Sequence, residues 1–296
     1  MASFTEVFTI ADHKIRLVFA DTSRNSMALI PSFEPFKAAD TTGPYLFTLT
    51  VDDQLKPIPK EQRDRVRDFD TGNGNTIVDQ VVGGGYQYII KNLRGEACCL
   101  LQCNEDFTEC RCALNGYHNM RCFGLNNALM MVYAYASSFH DTLMIHASLV
   151  RHNGKGYPFI AKSGTGKSTQ VSNWLRYIPN CDLMNDDNPI VRVIDGETFI
   201  YGTPWSGKTP CYRNVKAPLG AITQIKRADK NYVERHQGVA AFAAFMPSCA
   251  SMKWDEAIYQ RTNDTIIKIV ESIPIYTLHC LPNRASAEIC QQTITK

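Results

Sequence analysis

The chain has almost no net charge: 31 Lys and Arg stand against 29 Asp and Glu, a formal +2 over 296 residues. That balance argues against a dedicated nucleic-acid partner or an acidic surface, both of which call for a clustered positive field. Long apolar runs are missing too. The most apolar stretch, Ala128 to Ala136, is far too short to span a bilayer, so no membrane partner is expected. The start, Met1-Ala2-Ser3-Phe4-Thr5-Glu6, lacks a basic segment followed by an apolar one, so no secretory signal is read there and a cytoplasmic location is expected. Neither an internal repeat nor a low-complexity tract is present. A hydrophobic content of 44% is enough for one large or two ordinary domains, each with its own core.

Eleven cysteines are an odd number with scattered spacing, which suits reduced thiols better than a disulfide framework. Six of them (Cys98, Cys99, Cys103, Cys110, Cys112 and Cys122) cluster enough to raise the question of a metal. Structural zinc sites usually draw their ligands from Cys-x2-4-Cys knuckles separated by a loop, and the context here differs. Ala97-Cys98-Cys99-Leu100-Leu101 reads as an apolar strand, and Cys110 and Cys112 share a strand face, so the cysteines are read as small buried hydrophobes and not as zinc ligands.

The N-terminal part is β-rich. Ile15, Leu17 and Phe19 alternate with Arg16 and Val18, and Tyr45, Phe47, Leu49 and Val51 alternate with Leu46, Thr48 and Thr50. Lys56 to Asn75, charged and carrying Pro57 and Pro59, reads as a solvated loop or short helix. Gly83-Gly84-Gly85 lacks a following helix and reads as a turn or bulge. A helix from about Leu125 to Phe139 is expected to lead into the second half.

Two segments bear the mark of a phosphate loop. Ala161-Lys162-Ser163-Gly164-Thr165-Gly166-Lys167-Ser168 departs from Gly-x4-Gly-Lys-Ser/Thr only at Ala161, whereas Gly202-Thr203-Pro204-Trp205-Ser206-Gly207-Lys208-Thr209 satisfies it letter for letter. Context favours the first. Tyr157 to Ala161 reads as a buried strand entering the loop, and Val171, Trp174, Leu175 and Ile178 form the apolar stripe of a helix leaving it, which Pro179 must end. In such a loop glycines let backbone N–H groups turn toward anionic oxygens, the helix N-terminus adds unpaired donors, Lys167 brings a mobile charge and Ser168 can join a magnesium shell. Ser163, Gly164, Thr165, Gly166, Lys167, Ser168 and Thr169 are thus the expected nucleotide contacts. At the second segment Pro204 removes a donor, Trp205 adds bulk, and Pro210 and Pro218 leave little room for a helix. That segment reads as a lip from which Lys208 or Arg213 reaches the transferring group, or as a solvated loop anchored by Trp205.

Leu143 to Arg151 reads as a strand, and Asn153-Gly154-Lys155-Gly156 turns from it into the loop strand. So short a link excludes a parallel crossover, so the two strands are expected to run antiparallel. Downstream, Asn185-Asp186-Asp187-Asn188 follows a short strand. Adjacent carboxylates there can hold magnesium with one and take a hydroxyl proton with the other; the alternative is a simple turn before Pro189. Pro189 to Ile194 and Glu197 to Tyr201 form a hairpin about Asp195-Gly196. Leu219 to Lys226 reads as a strand, Val233 to Phe245 as an Ala-rich helix, and Ile266, Ile269, Val270 and Ile273 as the apolar face of another.

His146 before the loop strand, the hairpin into Ser163 to Ser168, and the Asp186-Asp187 pair together resemble the catalytic domain of HPr kinase/phosphorylase and its relative phosphoenolpyruvate carboxykinase. Ile275 to Leu281, followed by Pro282-Asn283 and a last helix, also resembles the end of such domains. The likeness runs from about Leu125 to the C-terminus. It implies ATP phosphates on Gly164, Gly166, Lys167 and Ser168, metal and base roles on Asp186 and Asp187, and His146 near the reacting phosphate. Ala161 departs from the family's glycine, and the family's substrate-recognition signature is not found. The expectation is an α/β chain: a β-rich N-terminal domain over 1–124, then over 125–296 a mixed, largely antiparallel phosphate-loop domain. ATP and Mg2+ are the expected cofactors and a hydroxyl-bearing protein or small molecule the acceptor, with a homo-oligomer open. A nucleotide sensor without turnover, or an enzyme like phosphoenolpyruvate carboxykinase, are the alternatives.

Overall fold

Alternation of apolar and polar residues builds the first half of the chain into one sheet, and a computed structural model describes residues 3–207 and 209–296. Two compact units divide at Ser137/Ser138. In the first, β1 (Phe4–Ile10), β2 (His13–Phe19), β3 (Phe47–Val51), β4 (Arg63–Asp70), β5 (Gly74–Val81), β6 (Tyr86–Asn92), β7 (Ala97–Cys103) and β8 (Glu109–Leu114) pair in the order β1-β2-β3-β8-β7-β6-β5-β4. Ile15, Leu17 and Phe19 all point into the core. The stretch expected to be loop contains β4, a charged edge strand whose Arg63 and Arg65 both pair with the buried Asp79 of β5. Charge here marks an exposed edge and not a lack of order. Gly83, Gly84 and Gly85 all have positive φ and form the β5–β6 turn.

Helix α1 (His118–Ala136) starts seven residues before the expected Leu125 and packs on β6, β7 and β8, so it closes the first unit instead of opening the second. Gly124 permits this: a Cβ there would stand 2.6 Å from the Cys98 carbonyl oxygen. Gly124→Ala should therefore cost a net 1–2 kcal/mol, roughly, because overpacking against backbone outweighs the better helix propensity of Ala; the shift of a urea-unfolding midpoint checks it. Cys99, Cys103, Cys110 and Cys112 are buried in β7 and β8, and burial pushes the Cys99 and Cys103 thiols well up. All eleven cysteines are unpaired thiols.

The second unit comprises β9 (Thr142–Met144), β10 (Ala147–His152), β11 (Lys155–Ile160), α2 (Lys167–Tyr177), β12 (Cys181–Asp187), β13 (Ile190–Ile194), β14 (Glu197–Tyr201), β15 (Lys216–Pro218), β16 (Ile222–Arg227), β17 (Tyr232–His236), α3 (Gly238–Phe245), α4 (Glu256–Ser272), β18 (Ile275–Cys280) and α5 (Arg284–Ile294). One sheet runs β12-β10-β11-β16-β18-β17 and the other β15-β14-β13-β9. The chain is thus α/β with mixed, mostly antiparallel sheets. The expected strand Leu143 to Arg151 is broken in two. Ile145 and His146 give their N–H groups to Pro189 O and Ser248 O, and the chain passes there from the small sheet to the large one. The Asp195-Gly196 hairpin forms as expected and lies in the small sheet, whose strands all pair antiparallel.

β10 and β11 pair antiparallel from Ala147↔Ile160 to His152↔Lys155 about a turn in which Asn153 (φ 47) and Gly154 (φ 82) are both left-handed, as a two-residue hairpin requires. On its other side β11 runs parallel to β16. α2 buries Gln170, Val171 and Trp174, while Leu175, expected on that stripe, is exposed; buried Gln170 instead bonds Ser286 of α5. The helix expected over Val233 to Phe245 begins only at Gly238, because the residues before it pair with β18 as β17. No helix among the described residues is long and apolar enough to cross a membrane.

Candidate functional site

β11 ends at Ile160 and the chain turns through Lys162 to Gly166 into α2. Thr165 donates to Lys162 O, and Gly164 (φ 76) and Gly166 (φ 134) adopt backbone conformations that a side chain would strain. Gly166 caps α2 without a side-chain bond, and the first turn holds no acidic residue. The positive end of the helix and its first N–H groups are thus left at the loop without a side-chain cap. Ser163, Gly164, Ser168 and Thr169 are exposed, and Thr165, Gly166 and Lys167 are partly so.

Three of the residues singled out by sequence form a continuous chain. Lys167 Nζ lies 3.0 Å from Ala161 O and 2.7 Å from His146 Nε2, and His146 Nδ1 lies 3.2 Å from Asp187 Oδ1. The proton placement that serves both contacts is a neutral imidazole, donating from Nδ1 to the carboxylate and accepting from the ammonium at Nε2. The electrostatics agree. Burial, with Lys167 second, holds His146 below its ordinary value; burial lowers Lys167; burial raises Asp187. Asp187 has φ 145 and receives the Asn188 amide at 2.8 Å on its other oxygen. Asp186, its side chain nearly buried, accepts the Ser148 hydroxyl at 2.6 Å, a contact set by the Ser148↔Asp186 register of β10 and β12.

The second glycine segment is not arranged as a cradle. Gly207 N donates to Asp186 O, Trp205 N to Thr203 Oγ1, and Asn185 Nδ2 bonds Thr203 and the Trp205 carbonyl, so its polar groups are consumed in tying it to β12. Trp205 is buried, and among the described residues the next element is the strand β15. Lys208 lies outside the described residues. Arg213 is paired with β12: its Nη1 is 2.7 Å from Asp182 Oδ2, on a carboxylate that Arg151 also grips with two bonds. Asp182 is five residues before Asp187 on β12, roughly 16 Å along a strand. The pairing with two arginines, against the pull of burial, holds Asp182 below its ordinary value.

Two contacts escape the sequence reading. Ser148 is one, legible only through its two-residue spacing from His146. Arg227, the last residue of β16, is the other: it donates to the carbonyl oxygens of Gly164 and Thr165, the latter at 3.0 Å.

No family model and no curated protein matches the chain. Among solved structures, the HPr(Ser) kinase/phosphatase from Coxiella burnetii is similar over 50% of this chain and 91% of that one, at 9% identity and a TM-score of 0.30. A likeness that distant leaves the functional assignment to the side chains themselves.

Proposed function

We propose that the second unit binds ATP with magnesium and passes the terminal phosphoryl group to a hydroxyl, as a phosphate-loop domain of the HPr kinase and phosphoenolpyruvate carboxykinase type. The observation that supports it is the hydrogen-bonded chain Lys167–His146–Asp187 beside a glycine loop that opens a helix. Phosphoryl transfer asks the protein mainly for position and charge: cations and amides around the phosphate oxygens, and a base within reach of the entering hydroxyl.

In this reading Lys167 and the amides around Gly166 hold phosphate oxygens. Asp187, made more basic by burial, takes the hydroxyl proton, and neutral His146 orients both. Asp186, with one oxygen fixed by Ser148, is left with the other for a cation, together with Ser168. A carboxylate and a hydroxyl are hard oxygen donors of the kind magnesium accepts, and magnesium keeps its other positions for water and phosphate. No three His, Cys, Asp or Glu side chains among the described residues are gathered to hold a metal by themselves. When bound, it would neutralise charge between the phosphates. The acceptor is a hydroxyl of a protein or small molecule.

Calorimetry with ATP and magnesium tests the reading. Lys167→Ala should weaken binding by about 100-fold, near 2.7 kcal/mol, with the far-ultraviolet circular dichroism unchanged because the lysine is partly solvated. Equal affinity in variant and parent would remove the loop from the nucleotide site. Binding without transfer to any acceptor would leave a nucleotide sensor.

A further inference from the structure

We infer that Arg227 is a positioning residue that locks two peptide planes of the glycine loop and so keeps the Gly166 N–H in the orientation an anion needs. The ligand arm of this inference rests on the ATP reading; the loop-order arm does not. Arg227 ends β16, which runs parallel to the loop strand β11, so strand order alone delivers its guanidinium to the loop across 62 residues of sequence. There Nε donates to Thr165 O and Nη2 to Gly164 O, two consecutive carbonyls gripped by one planar fork.

The consequence follows from peptide geometry. In a trans peptide the C=O and the next residue's N–H point in opposite directions, so fixing the Thr165 oxygen fixes the Gly166 N–H, and fixing the Gly164 oxygen fixes the Thr165 N–H. The Thr165 N–H is also tied to Lys162 O, which pins its plane from both ends. The next plane has no such second tie among the backbone bonds of the turn, and it joins Gly166, whose freedom at φ allows a peptide flip at small cost. A flip would aim the Thr165 carbonyl oxygen at the phosphate site in place of the Gly166 N–H, replacing attraction by repulsion. Arg227 opposes that flip, and its side chain is exposed, so the role is separable from the core.

The test uses the full chain with Arg227→Gln and Arg227→Lys. Lysine keeps the charge but cannot hold two carbonyls in a fixed fork. In Arg227→Gln, amide hydrogen exchange across 163–168 should quicken by about tenfold, and the dissociation constant for ATP with magnesium should rise by about the same factor, with the thermal midpoint unchanged. Arg227→Lys should recover only part of each. Parent-like exchange in Arg227→Gln overturns the inference. So does complete rescue by lysine, which would reduce the contact to charge alone, and so does faster exchange with unaltered affinity in a parent that binds ATP. If the parent binds no ATP, faster loop exchange with incomplete rescue by lysine still supports the lock, and only the ATP reading falls.

Discussion

Asp187→Asn should abolish phosphoryl transfer, by about 10³-fold, while leaving ATP affinity within about tenfold of the parent. The amide preserves the shape of the side chain and can still accept from His146 Nδ1, which lies 3.2 Å from Oδ1 in the parent. What it cannot do is accept a proton from the attacking hydroxyl. Loss therefore belongs in kcat and not in binding, since a base acts on the transition state. The pH profile supplies a second check. A base must be ionised to work, and burial raises the Asp187 carboxyl above the usual 3.8, so the parent's rate should fall as the pH drops through that raised value and be restored above it. His146 is held low and stays neutral over the upper part of that range. A charge on His146 would lower Asp187; in His146→Gln that opposing influence is gone, and the acid limb should move to higher pH. Transfer by Asp187→Asn within tenfold of the parent would assign the base elsewhere.

Contiguity in the sequence explains which parts of this site can be read from it. Strand, glycine loop and helix follow one another over Tyr157 to Tyr177, and Lys167 needs only that local order to stand at the loop. Joining His146 to Asp187 takes a register, Ala147↔Asp187, that a motif only hints at. Arg227 is invisible before the order β11-β16 is known. Arg213 shows the converse: a cation close in sequence to the second glycine segment is paired, in three dimensions, with Asp182. Among the elements, composition misleads where pairing decides. Val233 sits beside an Ala-rich helical stretch yet pairs with Leu278 in β17, and charged Arg63 to Asp70 pairs along β5 as an edge strand. The Gly202 to Thr209 segment matches the phosphate-loop pattern fully, but a pattern of residue types does not say whether the backbone N–H groups are free, and here Trp205 and Gly207 have spent theirs.

Trp174→Ala should cost the second unit about 3–5 kcal/mol, the expected price of emptying an aromatic core position. Trp174 is fully buried in α2 with ring centroids 5.5 Å from Phe159, 5.8 Å from Tyr157 and 5.9 Å from His152. Around these rings pack Val171, Ile225, Leu278 and Cys290, so the indole joins α2 to the sheet and to α5. One feature softens the loss in a second variant. The indole Nε1 is buried and finds no partner among the described residues, and a buried donor left unpaired costs about 1–3 kcal/mol. Trp174→Phe removes that donor while keeping an aromatic body, so it should destabilise by much less than Ala, about 1 kcal/mol or under. Urea unfolding of the full chain, followed through amide exchange of β10, β11 and α2, separates the second unit's transition from the first's. A Phe variant as unstable as the Ala variant would show that the indole N–H is satisfied in solution. The stability effect should also reach the loop: α2 begins at Lys167, so a helix loosened at Trp174 lets the glycine turn drift, and ATP affinity should fall in the order parent, Phe, Ala even though Trp174 lies two turns from Lys167.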